Sequence, residues 1–216
     1  MRKQLAIFDL DGTLLDTLDD LADAVNWALE QEGLPQRTRE EVRAFVGNGI
    51  RSLIERAVPA GTAAAQTDRV FAAFKARYAD HCADRTRPYP GIPELLARLR
   101  AEGVRTAVVS NKADFAVQTL CRDYFPGLLD CAVGERAGIP KKPAPDSVLE
   151  VLRTLKIPKE QAIYIGDSEV DVVTARNAGM DGILVLWGFR DRQTLERAGA
   201  KRFAATAEAM CAAILG

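Results

Sequence analysis

From Pro88 onward the chain alternates short apolar runs with segments whose apolar residues recur at helical spacing. This alternation indicates a parallel sheet with helices on both faces, because parallel strands need long crossover connections that helices usually supply. The pattern therefore predicts an α/β fold. The predicted strands are 104–109, 129–133, 162–165 and 183–187, and the predicted helices are 93–102, 113–123, 145–156 and 168–178.

An apolar run at residues 5–8 would add one strand to this sheet, and it ends in Asp9-Leu10-Asp11-Gly12-Thr13. Side chains two apart in an extended segment point to the same side, so the carboxylates of Asp9 and Asp11 should converge. Buried like charges repel each other unless a cation lies between them. The alternative is an ordinary polar turn, where Asp-Gly sequences are common. The segment by itself leaves both interpretations open.

A long block with helical periodicity and no convincing strand separates residues 5–8 from the alternating part. Asp16-Thr17 is a candidate N-cap of its first helix, and Thr38 with Glu41 is the capping-box signature of its second. An insertion joined at two points favours hinge motion over the mouth of the sheet. We expect a core domain formed by 1–15 and 87–216 and an inserted helical cap domain formed by 16–86.

Composition excludes several classes of function. The net charge of -1 argues against a surface for nucleic acid or anionic membranes, which needs a basic excess. The single histidine, His81, has no G-x-S-x-G segment to accompany it, and we expect it on the surface. The four cysteines are scattered without metal-site spacing, and no apolar run has the length of a membrane span. We expect a cytoplasmic monomer or homodimer that binds neither nucleic acid nor membranes.

Polar residues follow the ends of several predicted strands, which meet at one edge of an open parallel sheet. Three acids, a hydroxyl and a lysine at such an edge would form a site for a phosphate group and a hard divalent cation. Asp9 and Asp11 follow the first strand, Ser110 and Asn111 follow 104–109, Asp167 follows 162–165 with Asp171 four residues later, and Lys142 precedes Pro143 in a loop.

The chain resembles a phosphohydrolase of the haloacid dehalogenase superfamily, because four segments match the motifs of that superfamily in order. The resemblance spans essentially the whole chain and includes the helical insertion, which is similar to the superfamily's cap. It implies a Rossmann-like sheet, an added cap domain and Mg²⁺-dependent phosphate-ester hydrolysis. The four segments are Asp9-Leu10-Asp11-Gly12-Thr13, Val109-Ser110-Asn111, Lys142-Pro143 and Gly166-Asp167-Ser168-Glu169-Val170-Asp171.

The resemblance implies a catalytic role for three of these residues. Asp9 would attack phosphorus and form an aspartyl-phosphate. Asp11 would protonate the leaving oxygen and then accept a proton from the attacking water. Lys142 would balance the charge of the transferring phosphoryl group, and Lys141 is the competing candidate.

Other residues would hold the metal and the phosphate. Mg²⁺ would be bound by Asp9, the carbonyl of Asp11 and Asp167. Ser110 and Asn111 would bind the phosphate, although Ser110 could instead serve only as a helix N-cap. Asp171 could hold Lys142 or the metal's waters, or be a plain acid at a helix start. Gly12 and Thr13 would support the tight turn that follows the first strand.

Substrate specificity is expected in the cap. Residues 45–51 resemble the cap segment of phosphoglycolate phosphatases, in which glycines such as Gly47 expose backbone donors. Arg51 could pair with a substrate carboxylate, or it could be solvated beside glycines that merely break a helix. Trp27 lies opposite the apolar stripe of its helix, which indicates either an interface or an exposed ring.

We expect a phosphomonoesterase acting on a small phosphorylated metabolite, with 2-phosphoglycolate as the first substrate to test. A haloacid dehalogenase has no use for Asp11, and a phosphonate hydrolase needs a Schiff-base lysine, for which Lys75 is the only candidate in the cap. A sugar-phosphate mutase resembling β-phosphoglucomutase, a pyrophosphatase and a nucleotidase of the same superfamily remain alternatives. An inactive phosphate-binding module is the non-enzymatic alternative.

Overall fold

A computed structural model describes residues 2–216, and Met1, which the sequence assigns to the core domain, lies outside them. Eight strands are present in this part of the chain. They are β1 (Leu5–Phe8), β2 (Leu15–Asp16), β3 (Arg87–Pro88), β4 (Arg105–Ala113), β5 (Cys131–Glu135), β6 (Ala162–Gly166), β7 (Asp181–Val185) and β8 (Phe203–Ala204).

Six of these strands form one parallel sheet in the order β5-β4-β1-β6-β7-β8, while β2 and β3 form a separate pair. The chain moves from β1 to β4 and β5 on one side and then returns to β6 on the other. The sheet therefore has its topological switch point at β1, where ligands of open α/β sheets bind. In the strand register Phe8 lies beside Val108 and Ile165, so the residues that follow these positions emerge at one edge.

The residues of β1 and β6 are buried without alternation, as expected for central strands covered on both faces. Ten α-helices lie in the described part of the chain. They are α1 (Leu18–Gln31), α2 (Arg39–Phe45), α3 (Gly49–Ala57), α4 (Ala64–His81), α5 (Ile92–Ala101), α6 (Asp114–Tyr124), α7 (Asp146–Leu155), α8 (Glu169–Ala178), α9 (Arg192–Arg197) and α10 (Ala207–Leu215).

The chain divides into two compact units. The first comprises the described residues of Met1–Leu15 together with Pro88–Gly216, and it contains the six-stranded sheet and α5 to α10. Its core includes Leu5 and Ile7 of β1 and Val148 and Val151 of α7. This architecture confirms the predicted α/β fold with a parallel sheet.

The second unit, Asp16–Arg87, contains α1 to α4. Its second helix begins with the predicted capping box: Glu41 N donates to Thr38 Oγ1 at 3.2 Å, and Thr38 N donates to Glu41 Oε2 at 2.7 Å. In α4 the rings of Phe74 and Tyr78 are buried and stack with their centroids 5.2 Å apart. The unit therefore has apolar packing of its own.

Several element boundaries differ from the sequence prediction. The strand predicted at 104–109 continues to Ala113, so Ser110 and Asn111 lie within β4 rather than after it. Ala113, not Ser110, is the N-cap of α6, and the N-cap role considered for Ser110 is therefore wrong. The β7 strand begins and ends two residues earlier than predicted, at Asp181 and Val185. The elements α9, β8 and α10 were not predicted.

None of the helices formed by residues 2–216 combines the length and the apolar character needed to cross a membrane.

Candidate active site

Three carboxylates meet at the carboxyl edge of the sheet. Asp9 follows β1, Asp167 follows β6, and Asp171 lies in the first turn of α8. One oxygen from each lies within 4.8 Å of the others. Asp9 is 9% exposed, and Asp167 and Asp171 are each 1% exposed. Such a buried acidic cluster needs positive charge to be stable.

Lys142 supplies one positive charge to this cluster. Its Nζ lies 2.9 Å from Asp9 Oδ1 and 2.9 Å from Asp171 Oδ1, and it donates to the Tyr164 hydroxyl at 3.1 Å. Burial alone would lower the pKa of Lys142, but the charges of Asp171 and Asp9 raise it well above its usual value. The structure thus brings Lys142, rather than Lys141, to the carboxylates as a permanent cation.

Asp171 is engaged by protein donors. Its Oδ2 accepts hydrogen bonds from Ser168 Oγ at 2.6 Å, Ser168 N at 3.1 Å and Asp167 N at 3.2 Å. Its Oδ1 accepts from Lys142 Nζ and from the Tyr164 hydroxyl at 3.0 Å. Burial would raise the pKa of Asp171, yet Lys142 and Ser168 lower it below its ordinary value. Asp171 is therefore a stable anion that orients Lys142 and the start of α8.

The pKa values of Asp9 and Asp167 are shifted in the opposite direction to that of Asp171. Burial raises the pKa of Asp9 to about 7 although Lys142 counteracts the shift, and repulsion from Asp171 and Asp11 adds to the rise. Burial, together with the charges of Asp171 and Asp9, raises the pKa of Asp167 well above its ordinary value. Two close carboxylates that ionise with difficulty fit a divalent cation, and an all-oxygen donor set suits a hard ion such as Mg²⁺.

The orientation of Asp167 depends on two loops. Phe189 N donates to its Oδ2 at 2.7 Å, and Thr13 Oγ1 donates to its Oδ1 at 3.3 Å. Gly12 has a positive φ of 83°, and a Cβ there would approach Asp167 Cγ to 2.7 Å. A Cβ at Gly188 would lie 2.6 Å from Asp167 Oδ2. Glycine is therefore required on both sides of this carboxylate.

Asp11 contacts a residue that the sequence analysis did not single out. Lys112 Nζ lies 3.0 Å from Asp11 Oδ1 and 3.3 Å from Oδ2. Ser110 Oγ accepts from Lys112 N at 3.3 Å, and Asn111 Nδ2 donates to Lys142 O at 3.0 Å. The segment after Val109 thus braces both lysines of the site.

Sequence reasoning missed Lys112, Tyr164 and the loop that follows β7. The partners of Lys112 and Phe189 at the site are 101 and 22 residues away in sequence, so spacing carries no signal for them. The one available indication was that Lys112 directly follows Ser110 and Asn111, which the sequence predicted to lie just after a strand.

The residues predicted to bind substrate from the cap lie within the helical unit. Gly47 lies between α2 and α3 with a positive φ of 125°, and Gly49, the first residue of α3, has a positive φ of 81°. Arg51 Nε donates to Glu55 at 2.7 Å, and its Nη1 donates to Asp68 at 2.5 Å. The structure therefore gives Arg51 two carboxylate partners on its own unit.

Trp27 and His81 also have partners within the helical unit. The Arg77 guanidinium lies 5.8 Å from the centroid of the Trp27 ring. Asp84 Oδ2 lies 2.8 Å from His81 Nδ1, and Arg77 Nη1 lies 2.7 Å from Nε2. Arg77 thus contacts both side chains within this unit.

Comparisons with known proteins show what the chain is similar to. A family model described as haloacid dehalogenase-like hydrolase matches residues 6–185. The phosphoglycolate phosphatase of Chromobacterium violaceum is 36% identical over 197 residues, which cover 87% of each chain.

Solved structures extend the similarity to the whole fold. A crystal structure from Lactobacillus delbrueckii subsp. bulgaricus, provisionally described as a phosphoglycolate phosphatase, is 42% identical with a TM-score of 0.96 and covers 100% of both chains. CbbY from Rhodobacter sphaeroides, crystallised with phosphate, is 28% identical with a TM-score of 0.74 over 95% of both chains. A variant of CbbY was crystallised with xylulose-(1,5)-bisphosphate.

Proposed function

The chain belongs to the haloacid dehalogenase-like hydrolase family, and on this premise we propose that it hydrolyses a small phosphate monoester, with 2-phosphoglycolate as preferred substrate. One observation carries the proposal: Asp9, Asp167 and Lys142 form a buried site of opposite charges at the switch point of the sheet. The choice of 2-phosphoglycolate is supported by the name of the C. violaceum relative.

The proposed metal is Mg²⁺, with Asp9, the carbonyl of Asp11 and Asp167 as its protein ligands. Bound there, it would offset the repulsion between Asp9 and Asp167 and withdraw charge from the phosphoryl oxygens. Asp171 has its role in holding Lys142 and Ser168, which leaves Asp9 and Asp167 as the carboxylates for the metal.

In the first chemical step, Asp9 attacks phosphorus, and the bond from phosphorus to the ester oxygen breaks. Asp11 gives its proton to the departing oxygen, so that an alcohol and an aspartyl-phosphate result. Lys142, held by Asp171, neutralises charge on the phosphoryl group as it moves.

In the second step, water attacks the phosphorus of the aspartyl-phosphate while Asp11 accepts a proton from it. The bond between phosphorus and Asp9 breaks, which regenerates the carboxylate and releases inorganic phosphate. Ser110 and Asn111, which lie beside both lysines, are proposed to hold the phosphate oxygens through both steps.

Discrimination among substrates is assigned in this proposal to residues 16–86 acting as a cap, with Gly47 and Arg51 as binding residues. We also propose a cytoplasmic monomer or homodimer. The four cysteines are free thiols, which is consistent with a reducing compartment.

Sugar phosphates are a second candidate class of substrate. The similarity to CbbY, which was crystallised with phosphate and with a sugar bisphosphate, favours them over nucleotides or pyrophosphate. A sugar-phosphate mutase would use the same core residues and would be recognised by isomerised product without net phosphate release.

The test is phosphate release from 2-phosphoglycolate, sugar phosphates, nucleotides and pyrophosphate, each with Mg²⁺ and with EDTA. We expect Mg²⁺-dependent release with the highest kcat/KM for 2-phosphoglycolate. A higher kcat/KM for a sugar phosphate would select the second candidate, and Mg²⁺ binding without turnover of any ester would leave an inactive module.

A further inference from the structure

Lys112 is a buried lysine that none of the roles above uses. It is 5% exposed, and its Nζ contacts both oxygens of Asp11, at 3.0 and 3.3 Å. Burying an ammonium group costs several kcal/mol unless a counter-charge accompanies it, and an apolar side chain would fill the same space without that cost. A buried lysine at this position therefore indicates that its ion pair with Asp11 has a functional role.

The backbone around Lys112 is shaped to place it. Val109 pairs with Val133 and Ala113 pairs with Glu135, so residues 110–112 of β4 lie opposite the single residue Gly134 of β5. We call residues 110–112 the β4 bulge. Bulges at strand ends re-aim side chains and often lie next to active sites.

Contacts on both sides hold the β4 bulge in place. A Cβ at Gly134 would lie 2.7 Å from Lys112 O, so glycine is required for the two strands to approach each other here. Gly134 N donates to Asp114 Oδ1 at 2.7 Å, directly after the bulge. Within the bulge, Lys112 N donates to Ser110 Oγ at 3.3 Å. The lysine side chain thus departs from a braced backbone.

We propose that Lys112 is a positioning residue that holds the Asp11 carboxyl group at the place from which it exchanges protons with the leaving oxygen and with water. The proposal rests on the proposed function, because it assumes the roles of Asp9 and Asp11 given above. Lys112 contacts both carboxyl oxygens, which limits rotation of the Asp11 side chain. Asp9, in contrast, is held by Lys142.

Because Lys112 holds Asp11 and Lys142 holds Asp9, loss of Lys112 should slow substrates with different leaving groups to different extents. Glycolate departs as a poor leaving group that needs a proton from Asp11, whereas p-nitrophenolate departs without one. A misplaced Asp11 therefore impairs the first step for 2-phosphoglycolate and spares it for p-nitrophenyl phosphate. The second step needs Asp11 for both substrates, because the attacking water must lose a proton.

The decisive variant is Lys112→Met, which keeps the length and apolar stem of the side chain and removes its charge. We expect kcat/KM for 2-phosphoglycolate to fall about 100-fold, the lower range of general acid-base contributions. We expect kcat/KM for p-nitrophenyl phosphate to fall less than about 10-fold, because its first step does not need a proton from Asp11. Its time course should show a burst of one p-nitrophenolate per active site, followed by slow turnover. Lys112→Arg should recover part of the loss, and exposed Lys201→Met is the matched control.

Lys112→Arg, which keeps a positive charge beside Asp11, carries the test if Lys112→Met folds poorly, with a smaller loss again expected for p-nitrophenyl phosphate than for 2-phosphoglycolate. A double variant separates positioning of Asp11 from an independent role of Lys112. If Lys112 acts through Asp11, the double variant Asp11→Asn with Lys112→Met should be no slower than Asp11→Asn alone. Additive losses, or equal losses for both substrates in Lys112→Met, would overturn the positioning role. A wild-type protein that hydrolyses neither ester would instead refute the proposed function, so the two failures are distinguishable.

Discussion

Two buried lysines determine how the carboxylates of this site act. Lys142 contacts Asp9 and Asp171, and Lys112 contacts Asp11. The described contacts of the Asp167 side chain are with the Thr13 hydroxyl and the Phe189 amide, which are neutral donors. Asp167 is therefore the carboxylate of the site that lacks a lysine partner among these contacts, and it has the greatest need for a metal ion.

The raised pKa of Asp9 predicts a pH-dependent stability of the metal-free protein. Its pKa is about 7 in the folded state and 3.8 ordinarily, so folding favours the protonated form. Asp9 thus contributes stability below about pH 4, and this contribution is lost as the pH rises through 7. In EDTA, the free energy of unfolding should fall by about 2–3 kcal/mol more in wild type than in Asp9→Asn between about pH 5 and 8.

Urea denaturation of both proteins at the two pH values measures this difference. Mg²⁺ should restore the stability of wild type at the higher pH, since it binds the ionised carboxylates of the folded state. Parallel pH dependence in wild type and Asp9→Asn would show that Asp9 ionises normally in the folded protein.

Arg51 is the residue on which specificity for a carboxylated substrate is proposed to depend. Its guanidinium is paired with Glu55 and Asp68, so a substrate carboxylate has to compete with two protein carboxylates. We expect Arg51→Ala to raise KM for 2-phosphoglycolate about 10-fold, the cost of one charge-assisted hydrogen bond.

The KM for p-nitrophenyl phosphate, which carries no carboxylate, should change much less in the same variant. Equal effects on the two substrates would remove Arg51 from substrate recognition and leave it as part of the ion-pair group with Glu55 and Asp68.

Among the structural elements, the loop that follows β7 is the least expected part of the site. Besides the contact of Phe189 with Asp167, Trp187 Nε1 donates to Thr13 O at 3.1 Å. This loop therefore fixes both the turn after β1 and the carboxylate after β6.

Gly188→Ala should disturb this arrangement, because the added methyl group would lie 2.6 Å from Asp167 Oδ2 and from Gly12 O. We expect Mg²⁺ affinity, measured by calorimetric titration, to fall about 10-fold to 100-fold, as for other residues that orient metal ligands. Gly182→Ala on β7 is the control, since its nearest neighbour is one methyl group at 3.3 Å. Unchanged affinity in Gly188→Ala would separate this loop from the metal site.

The sequence predicted the elements whose signals are local. Central strands such as β1 and β6 are recognisable in the sequence as apolar runs, because both of their faces are buried. The Thr38-Glu41 capping box is recognisable because its two hydrogen bonds join residues three apart in the sequence. Asp9, Asp167 and Lys142 were identified because each lies in a motif next to a strand end or a helix start.

Features that depend on distant partners were not predictable in the same way. The β4 bulge is stable because Gly134, on another strand, leaves room for it, and the strand was therefore predicted to end at 109. Tyr164 is a buried strand residue whose hydroxyl becomes significant only once Lys142 and Asp171 are brought to it.

At the scale of the whole molecule, the helical unit is a compact segment that lies in sequence between the two parts of the other unit. Its first and last segments are joined by Asp20, a buried residue of α1 that accepts hydrogen bonds from Arg85 N at 2.9 Å, Thr86 N at 2.8 Å and Thr86 Oγ1 at 2.8 Å. The unit also contains the packed helices α1 and α4.

We expect residues 16–87, expressed alone, to fold and to unfold cooperatively on heating, as followed by circular dichroism. Asp20→Ala in the same fragment should lower the free energy of unfolding by about 2–4 kcal/mol, because two buried donors of Thr86 and the partly buried amide of Arg85 lose their acceptor. A fragment that shows no cooperative transition would mean that the unit depends on the rest of the chain for its stability.

The central claim is that Asp9 carries the phosphoryl group during turnover. The most direct test is rapid acid quenching of the Mg²⁺-loaded protein after mixing with ³²P-labelled 2-phosphoglycolate, followed by measurement of label bound to the protein. We predict transient labelling that is lost on treatment with hydroxylamine, maps to Asp9 and is absent in Asp9→Asn. Phosphate release by wild type without bound label, or labelling that persists in Asp9→Asn, would contradict the account.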